Sequence, residues 1–383
     1  KKEKNYNFIS TIKIVNNPLN IELLNYKKDL NNDAAIIFQG GKNVNNRTKF
    51  DLISYIEKDN KIEIKNLFFD KNFKIIDLKS AHFDFLDKKN NINKFSITKK
   101  KDNYYLNGPI LNADKLIENL IDEDNSSKIT EGNFKILINI DNLIIDKDYD
   151  LKNFKGDLMI KNQEIINGNL TGYFSNNKKL NFTVQSKDNQ KITTLYLDEA
   201  NAIVSRYKFI KGFKGGLLDF YSTKQNGQSV SKLKIYDFKL KELPALTKLL
   251  TLASLQGIAD LVSGEGISFD EFEMSFKNEN NIMTINEIYA IGPAISILMD
   301  GYIEKNKLIS LRGTLVPATT INKVISTIPV LGKILVGSKT GEGVFGVSFK
   351  IKGPPKDLKT TVNPIKTLTP RFITRTLEKI KKN

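Results

Sequence analysis

The chain has 383 residues, 40% of them hydrophobic, with a formal net charge of +16. This is enough for a sizeable core and excludes wholesale disorder. The absence of Cys excludes a disulfide scaffold, a thiol nucleophile and a thiolate metal site, and a single His leaves zinc sites and Ser-His-Asp triads little to draw on.

In chain order, the opening Lys-Lys-Glu-Lys carries no initiator Met and reads as a piece of a longer or processed chain. No run of eighteen apolar residues and no signal peptide is present, so any membrane anchor is expected upstream. Period-two alternation then dominates, the mark of β-strands. It begins at Ile62 and Ile64, and at Phe83 and Phe85, with His82 between them as a solvent-facing strand residue. It continues through Phe134, Ile136, Ile138 and Ile140, through Leu180, Phe182 and Val184, and through Phe272, Met274 and Phe276. The last run is Phe345, Val347, Phe349 and Ile351. Turn signals separate the runs, among them Lys58-Asp59-Asn60, Asn226-Gly227 and Asn278 to Asn281, with the spacing of an antiparallel meander.

Helical patterns are few: Leu111 to Ile121, Leu197 to Tyr207, Leu243 to Val262, Thr319 to Ile328 and Phe372 to Lys382. Three of them, at 111–121, 197–207 and 319–328, recur after groups of strands, a repeat of outline only. In the Leu243–Val262 segment, Leu246, Leu249, Leu250, Ala253 and Ile258 form an apolar stripe suited to capping one end of a sheet.

The expected fold is mainly β: a long twisted antiparallel sheet with an open apolar groove and short helices at the C-terminal end. One face of such a sheet can meet water, whereas the other must be covered. The helices are too short and too few to cover it, so the sheet either curls on itself or leaves a groove. Burial of apolar area is worth about 25 cal/mol per Å², so such a groove attracts acyl chains or another apolar partner.

No motif argues for an enzyme. Asp122, Glu123 and Asp124 lie in a polar linker, while Glu271 and Glu273 share the solvent face of a strand. The glycine clusters at 212–216, 264–266 and 341–343 lack the phosphate-cradling patterns and read as turns. No cofactor and no metal is expected. Basic residues concentrate late: from Glu304 to Asn383, sixteen Lys and Arg stand against four Asp and Glu. This suggests a polyanion or an anionic membrane surface, although an AT-rich genome's lysine bias accounts for much of it. The basic end has few aromatics beside its cations, which argues against nucleic acid.

The stretch from Gly132 onward resembles the AsmA-like C-terminal family of bacterial envelope proteins, the group with AsmA, TamB and YhdP, and most closely the YhdP type. The phrases that carry the resemblance are Ile235 to Leu250, Leu255 to Asp270, Ala290 to Ala294, Asp300-Gly301, Gly313 to Asn322, Ile328 to Leu335 and Val362 to Phe372. Their order and spacing give it specificity. Thr369-Pro370-Arg371-Phe372 departs from it, since family members usually have Gly after the Pro. Residues 1–131 share only the strand rhythm and are expected to continue an upstream sheet, with 132–383 as the AsmA-like domain.

The resemblance implies a gutter-shaped sheet with an apolar inner face, anchored to the inner membrane by a helix upstream of Lys1. It implies a periplasmic bridge that guides phospholipid toward the outer membrane. The groove is then expected at Phe134, Ile136, Ile138, Phe272, Met274, Phe276, Phe345, Val347 and Phe349. Arg371, Arg375, Lys379 and Lys382 are expected to meet a membrane or an outer-membrane or periplasmic protein partner. The alternative is an envelope assembly protein that conducts no lipid.

Overall fold

A computed structural model describes residues 6–42, 48–72, 74–121, 133–162, 164–206, 212–241, 246–247, 250–251, 266–317, 346–355 and 357–365. The chain separates into two compact units, Lys1–Ser186 and Lys187–Asn383. The fold is mainly β, with open, predominantly antiparallel sheet.

The first unit contains β1 (Tyr6–Ile14), the two-residue strands β2 (Asn20–Ile21) and β3 (Tyr26–Lys27), β4 (Ala34–Lys42), β5 (Thr48–Glu57) and β6 (Asn60–Phe69). There follow β7 (Ile75–Leu86), β8 (Ile92–Lys100), β9 (Asn103–Asn112), helix α1 (Asp114–Ile121), β10 (Phe134–Ile144), β11 (Asp150–Lys161), β12 (Glu164–Phe174) and β13 (Lys179–Lys187). β1 pairs with β4, and from β4 to β13 each strand pairs with the next. All these pairs are antiparallel except β9 with β10, which is parallel. β2 and β3 pair with each other.

The second unit contains β14 (Gln190–Leu197), helix α2 (Asn201–Val204), β15 (Phe213–Gln225), β16 (Gln228–Leu240), β17 (Ile267–Glu279) and β18 (Ile282–Ile291). It continues with β19 (Ile295–Glu304), β20 (Leu308–Pro317), β21 (Gly346–Gly353) and β22 (Lys359–Ile365). These nine strands form an antiparallel meander, each paired with its neighbour in sequence.

The meander follows from local chemistry. The turns Asn226-Gly227 (φ 50° and 81°) and Asn280-Asn281 (φ 49° and 64°) hold two successive left-handed residues. That is the two-residue hairpin whose twist matches the strands, and Asn and Gly tolerate it best.

Within each unit, the longer connections start from one end of the strands. In the first unit these are residues 15–33, which include β2 and β3, and residues 113–133, which begin with α1 and lead to β10 at the opposite end, as its parallel pairing with β9 requires. In the second they are 198–212, with α2, and 241–266 and 318–345. We call this the capped end. The opposite strand ends are joined by short turns such as 101–102, 226–227 and 280–281.

The helices are shorter than the sequence patterns predict. The strand ladder claims Leu111 and Asn112, which pair with Leu143 and Ile144, so α1 starts at Asp114. Asn112 Oδ1 accepts the Asp114 N–H at 3.0 Å and ends the strand. Leu197 likewise belongs to β14, opposite Leu218, and among the described residues of the expected helix only Asn201–Val204 is helical. In the Leu243–Val262 segment, positions 246, 247, 250 and 251 are helical, and Thr251 Oγ1 donates to the Thr247 carbonyl at 3.0 Å. The Thr319–Ile328 and Phe372–Lys382 patterns lie outside the described residues.

Candidate functional site

Cross-strand partners in a sheet project to the same face, so the registers give the composition of each face. In the first unit one row runs Phe38–Ile53–Ile64–Ala81–Ile97–Leu106–Ile138–Gly156–Leu170–Phe182, across ten strands without a polar residue. The adjacent row on the opposite face runs, from β5 to β13, Ser54–Glu63–His82–Ser96–Asn107–Asn139–Lys155–Thr171–Asn181, every member polar, with Ile37 of β4 beside Ser54. His82 is exposed there, opposite Glu63, as its place among the phenylalanines predicts.

The second unit repeats the arrangement. One row runs Leu195–Phe220–Leu233–Met274–Ile288–Met299–Gly313–Phe349–Val362 across all nine strands. Beside it runs Leu197–Leu218–Ile235–Phe272–Ala290–Ile297–Leu315, and the backbone register continues to Val347. β18 carries one extra residue, so that Phe276 pairs with Ile285 while Met274 pairs with Ile288. The bulge keeps both isoleucines on the apolar face, where Phe276, Ile285 and Ile288 pack with Phe220, Phe272, Met274, Met283, Met299, Ile303 and Leu311.

Burial on these faces varies along the strands. Near the capped end of the second unit, Phe213, Phe238 and Phe269 stack with ring centroids 5.3 Å apart and are almost fully buried. Phe238 shares the face of Ile235, three residues away, because Asp237 and Gly216 both take left-handed φ, 51° and 86°. A Cβ on Gly216 would meet Phe238 Cβ at 3.1 Å and Ala200 Cβ at 3.3 Å, and Ala200 N donates to the Gly216 carbonyl at 2.7 Å. The segment that leads into α2 therefore sits over the end of the apolar face. Further along the same strands, Phe220, Leu233, Met274 and Met299 are half-buried, whereas Ile288, Ile285, Phe276 and Phe349 on the same face are buried.

The first unit is capped by a different device. The ring of Tyr26, on β3, meets Tyr55 and Phe85 edge-on at 5.5 Å each. Its hydroxyl donates to Glu57 Oε2, and the Tyr55 hydroxyl lies 2.8 Å from it. Glu57 is 1% exposed and also accepts from the Asp29 N–H at 3.0 Å, Asn32 Nδ2 at 3.1 Å and Tyr55 at 3.2 Å. Burial raises the Glu57 pKa, but these donors outweigh it and hold the carboxyl below its ordinary value. Burial and the neighbouring carboxylate push Tyr26 far up and Tyr55 up to about 12, so both stay protonated donors. Beyond this plug, Ile53, Ile64, Ile97, Leu106 and Ile138 are half-buried.

The expected groove residues fall on these faces where they are described. Ile138 is in the ten-strand row, Ile136 pairs with Tyr104 and Leu158 beside it, and Phe134 packs edge-on against Tyr104 at 5.5 Å. Met274 and Phe349 share one row of the second unit, with Phe272 in the next and Phe276 in the cluster. Phe345 lies outside the described residues, and Val347 is placed by backbone register alone. Of the end-cap residues, Leu246 and Leu250 are buried, while Leu249, Ala253 and Ile258 lie outside the described residues, as do Arg371, Arg375, Lys379 and Lys382. Sequence reading missed the Tyr26–Tyr55–Glu57 plug, because its members are scattered over 31 positions and follow no period. Among the described residues, no helix is long and apolar enough to cross a membrane. No known protein family, curated protein or solved structure matches this chain.

Proposed function

We propose that the apolar faces are lipid-binding surfaces, and that the protein is a bridge-like lipid carrier of the bacterial cell envelope. It would guide phospholipid acyl chains across successive strands in the periplasm, between the inner and the outer membrane. The observation that carries the reading is the ten-strand row through Ile138, apolar throughout and, Ala81 apart, half-buried at mid-strand. A closed core would bury such residues fully, whereas a solvated face would intersperse them with charges. The resemblance to AsmA-like proteins supports the same reading and supplies the envelope setting. Nothing in this mechanism requires a catalytic group.

The test is lipid content. The protein purified from a bacterial host is expected to carry phospholipid detectable by mass spectrometry, and Ile138→Asp or Met274→Asp to lose it while the fold persists. Protein free of lipid, or variants that unfold outright, would identify the face as an ordinary core.

A second reading, an assembly protein that conducts no lipid, is favoured by one observation. β1 pairs in register with β4, and no other described strand has a register with its second edge. A free edge is a template for a strand of another chain.

A further inference from the structure

The strand ends opposite the Tyr26 plug hold a second feature. On β6, β7 and β8, a surface depression is lined by Asn66, Phe68, Asp77, Lys79, Lys99 and Lys101. Its single carboxylate is already committed. Asp77 Oδ1 accepts from Lys99 Nζ at 2.7 Å, from the Tyr104 hydroxyl at 2.8 Å and from the Leu78 N–H at 2.8 Å. Lys79 and Lys101 have no acidic partner among the described residues. The depression therefore presents two uncompensated ammonium groups, with the remaining N–H bonds of Lys99 beside them. Tyr104 ties this charge to the apolar face: its hydroxyl holds Asp77, and its ring meets Phe134. Tyr104 and Ile136 are direct strand partners, and so are Leu106 and Ile138 one step further.

We infer that this depression is an anion subsite for the phosphate of a phospholipid whose acyl chains lie against Phe134, Ile136 and Ile138. The inference rests on the lipid-binding reading and adds a headgroup class to it. Phosphate offers several acceptor oxygens, and ammonium groups bind it through short charge-assisted bonds. Asp77 is the positioning residue: it holds Lys99 and Tyr104 in place and leaves Lys79 and Lys101 to the ligand. An uncharged lipid would gain nothing here.

The experiment uses the whole chain, the exposed-lysine variant Lys79→Gln/Lys101→Gln, and three probes measured by titration calorimetry at low salt. Dihexanoyl phosphatidylglycerol carries phosphate and chains, dihexanoylglycerol carries chains only, and glycerol 1-phosphate carries phosphate only. The expected result is that the variant binds the phosphatidylglycerol about tenfold more weakly, the loss shrinking as salt screens it. Dihexanoylglycerol should bind wild type and variant alike. Equal phosphatidylglycerol affinity in both proteins would overturn the subsite and leave the apolar face standing. Lysine-dependent binding of glycerol 1-phosphate as tight as that of the lipid would overturn the lipid assignment in favour of a soluble phosphate. If wild type binds neither acyl probe, the lipid-binding reading falls and takes this inference with it.

Discussion

Leu106 of β9 and Ile138 of β10 are direct partners in a parallel pair, whereas every other pairing along the first unit's row is antiparallel. The join lies after α1, where the outline of strands followed by a helix restarts, yet the apolar row crosses it unbroken. Both side chains are half-buried. Leu106→Ala and Ile138→Ala should each lower stability by about 1–2 kcal/mol, less than the cost of about 2–5 kcal/mol at a fully buried site because both are half-buried. A double-mutant cycle in urea should give a coupling of about 0.5–1 kcal/mol, since the two residues are cross-strand neighbours. Full additivity would mean that the parallel join does not carry the packing.

Gly313 is needed for Phe349. A Cβ at position 313 would collide with the Leu298 carbonyl oxygen and stand 2.6 Å from Met299 Cγ and 2.7 Å from Phe349 Cζ. The ring covers its glycine partner across the strands, which accounts for a 5% exposed phenylalanine at this position. Gly313→Val should displace the ring and cost about 1–3 kcal/mol. The thermal midpoint reads the loss, and Gly313→Val should cost less in a Phe349→Ala background than in the wild type.

The plug of the first unit makes stability depend on pH from both sides. The Glu57 pKa is lowered from its ordinary 4.5, so its stabilisation is present above about pH 4.5 and is lost as the pH falls through the folded-state value. Tyr55 is raised from 10.0 to about 12 and Tyr26 further, so their stabilisation is complete below pH 10 and is lost on going more alkaline. Thermal melts from pH 3 to 11 should therefore show a plateau between about pH 5 and 10 for the transition that reports the first unit. Glu57→Gln should flatten the acid limb. Glu57→Leu, which strands the buried Tyr26 hydroxyl and the partly buried donors of Asn32 and Asp29, should cost about 3–5 kcal/mol at pH 7.

β1 is unprotected as an edge. Tyr6 is 65% exposed and Ile9 75% exposed, no proline or bulge interrupts the strand, and Lys13 is its one charge. Such edges associate unless a charge or a kink blunts them. The protein should show concentration-dependent association by light scattering, and Ile9→Lys should reduce it while changing stability by less than about 0.5 kcal/mol. Association that Ile9→Lys leaves untouched would place the contact elsewhere.

Much of this architecture is legible in the amino-acid order. A strand with one wet face needs alternation, so Phe134 to Ile140 and Phe272 to Phe276 declare themselves, and Asn-Gly and Asn-Asn declare the hairpins between them. That every such strand contributes to the same face follows only from register, which depends on pairings between distant residues. Asn286 shows why. As one extra residue in β18 it decides whether Ile285 and Ile288 both reach the apolar face, and no local preference marks it as a bulge. The Tyr26 plug is likewise non-local: it joins Tyr26, Tyr55 and Glu57 through buried hydrogen bonds that form only once β3 lies over β5. The sequence by itself thus determined the strands, their turns and the existence of an apolar face, because period and turn chemistry act over a few residues. The tertiary structure decided where that face is sealed, where it stays half-exposed, and which lysines border it, because burial and charge pairing depend on contacts between residues far apart in the chain.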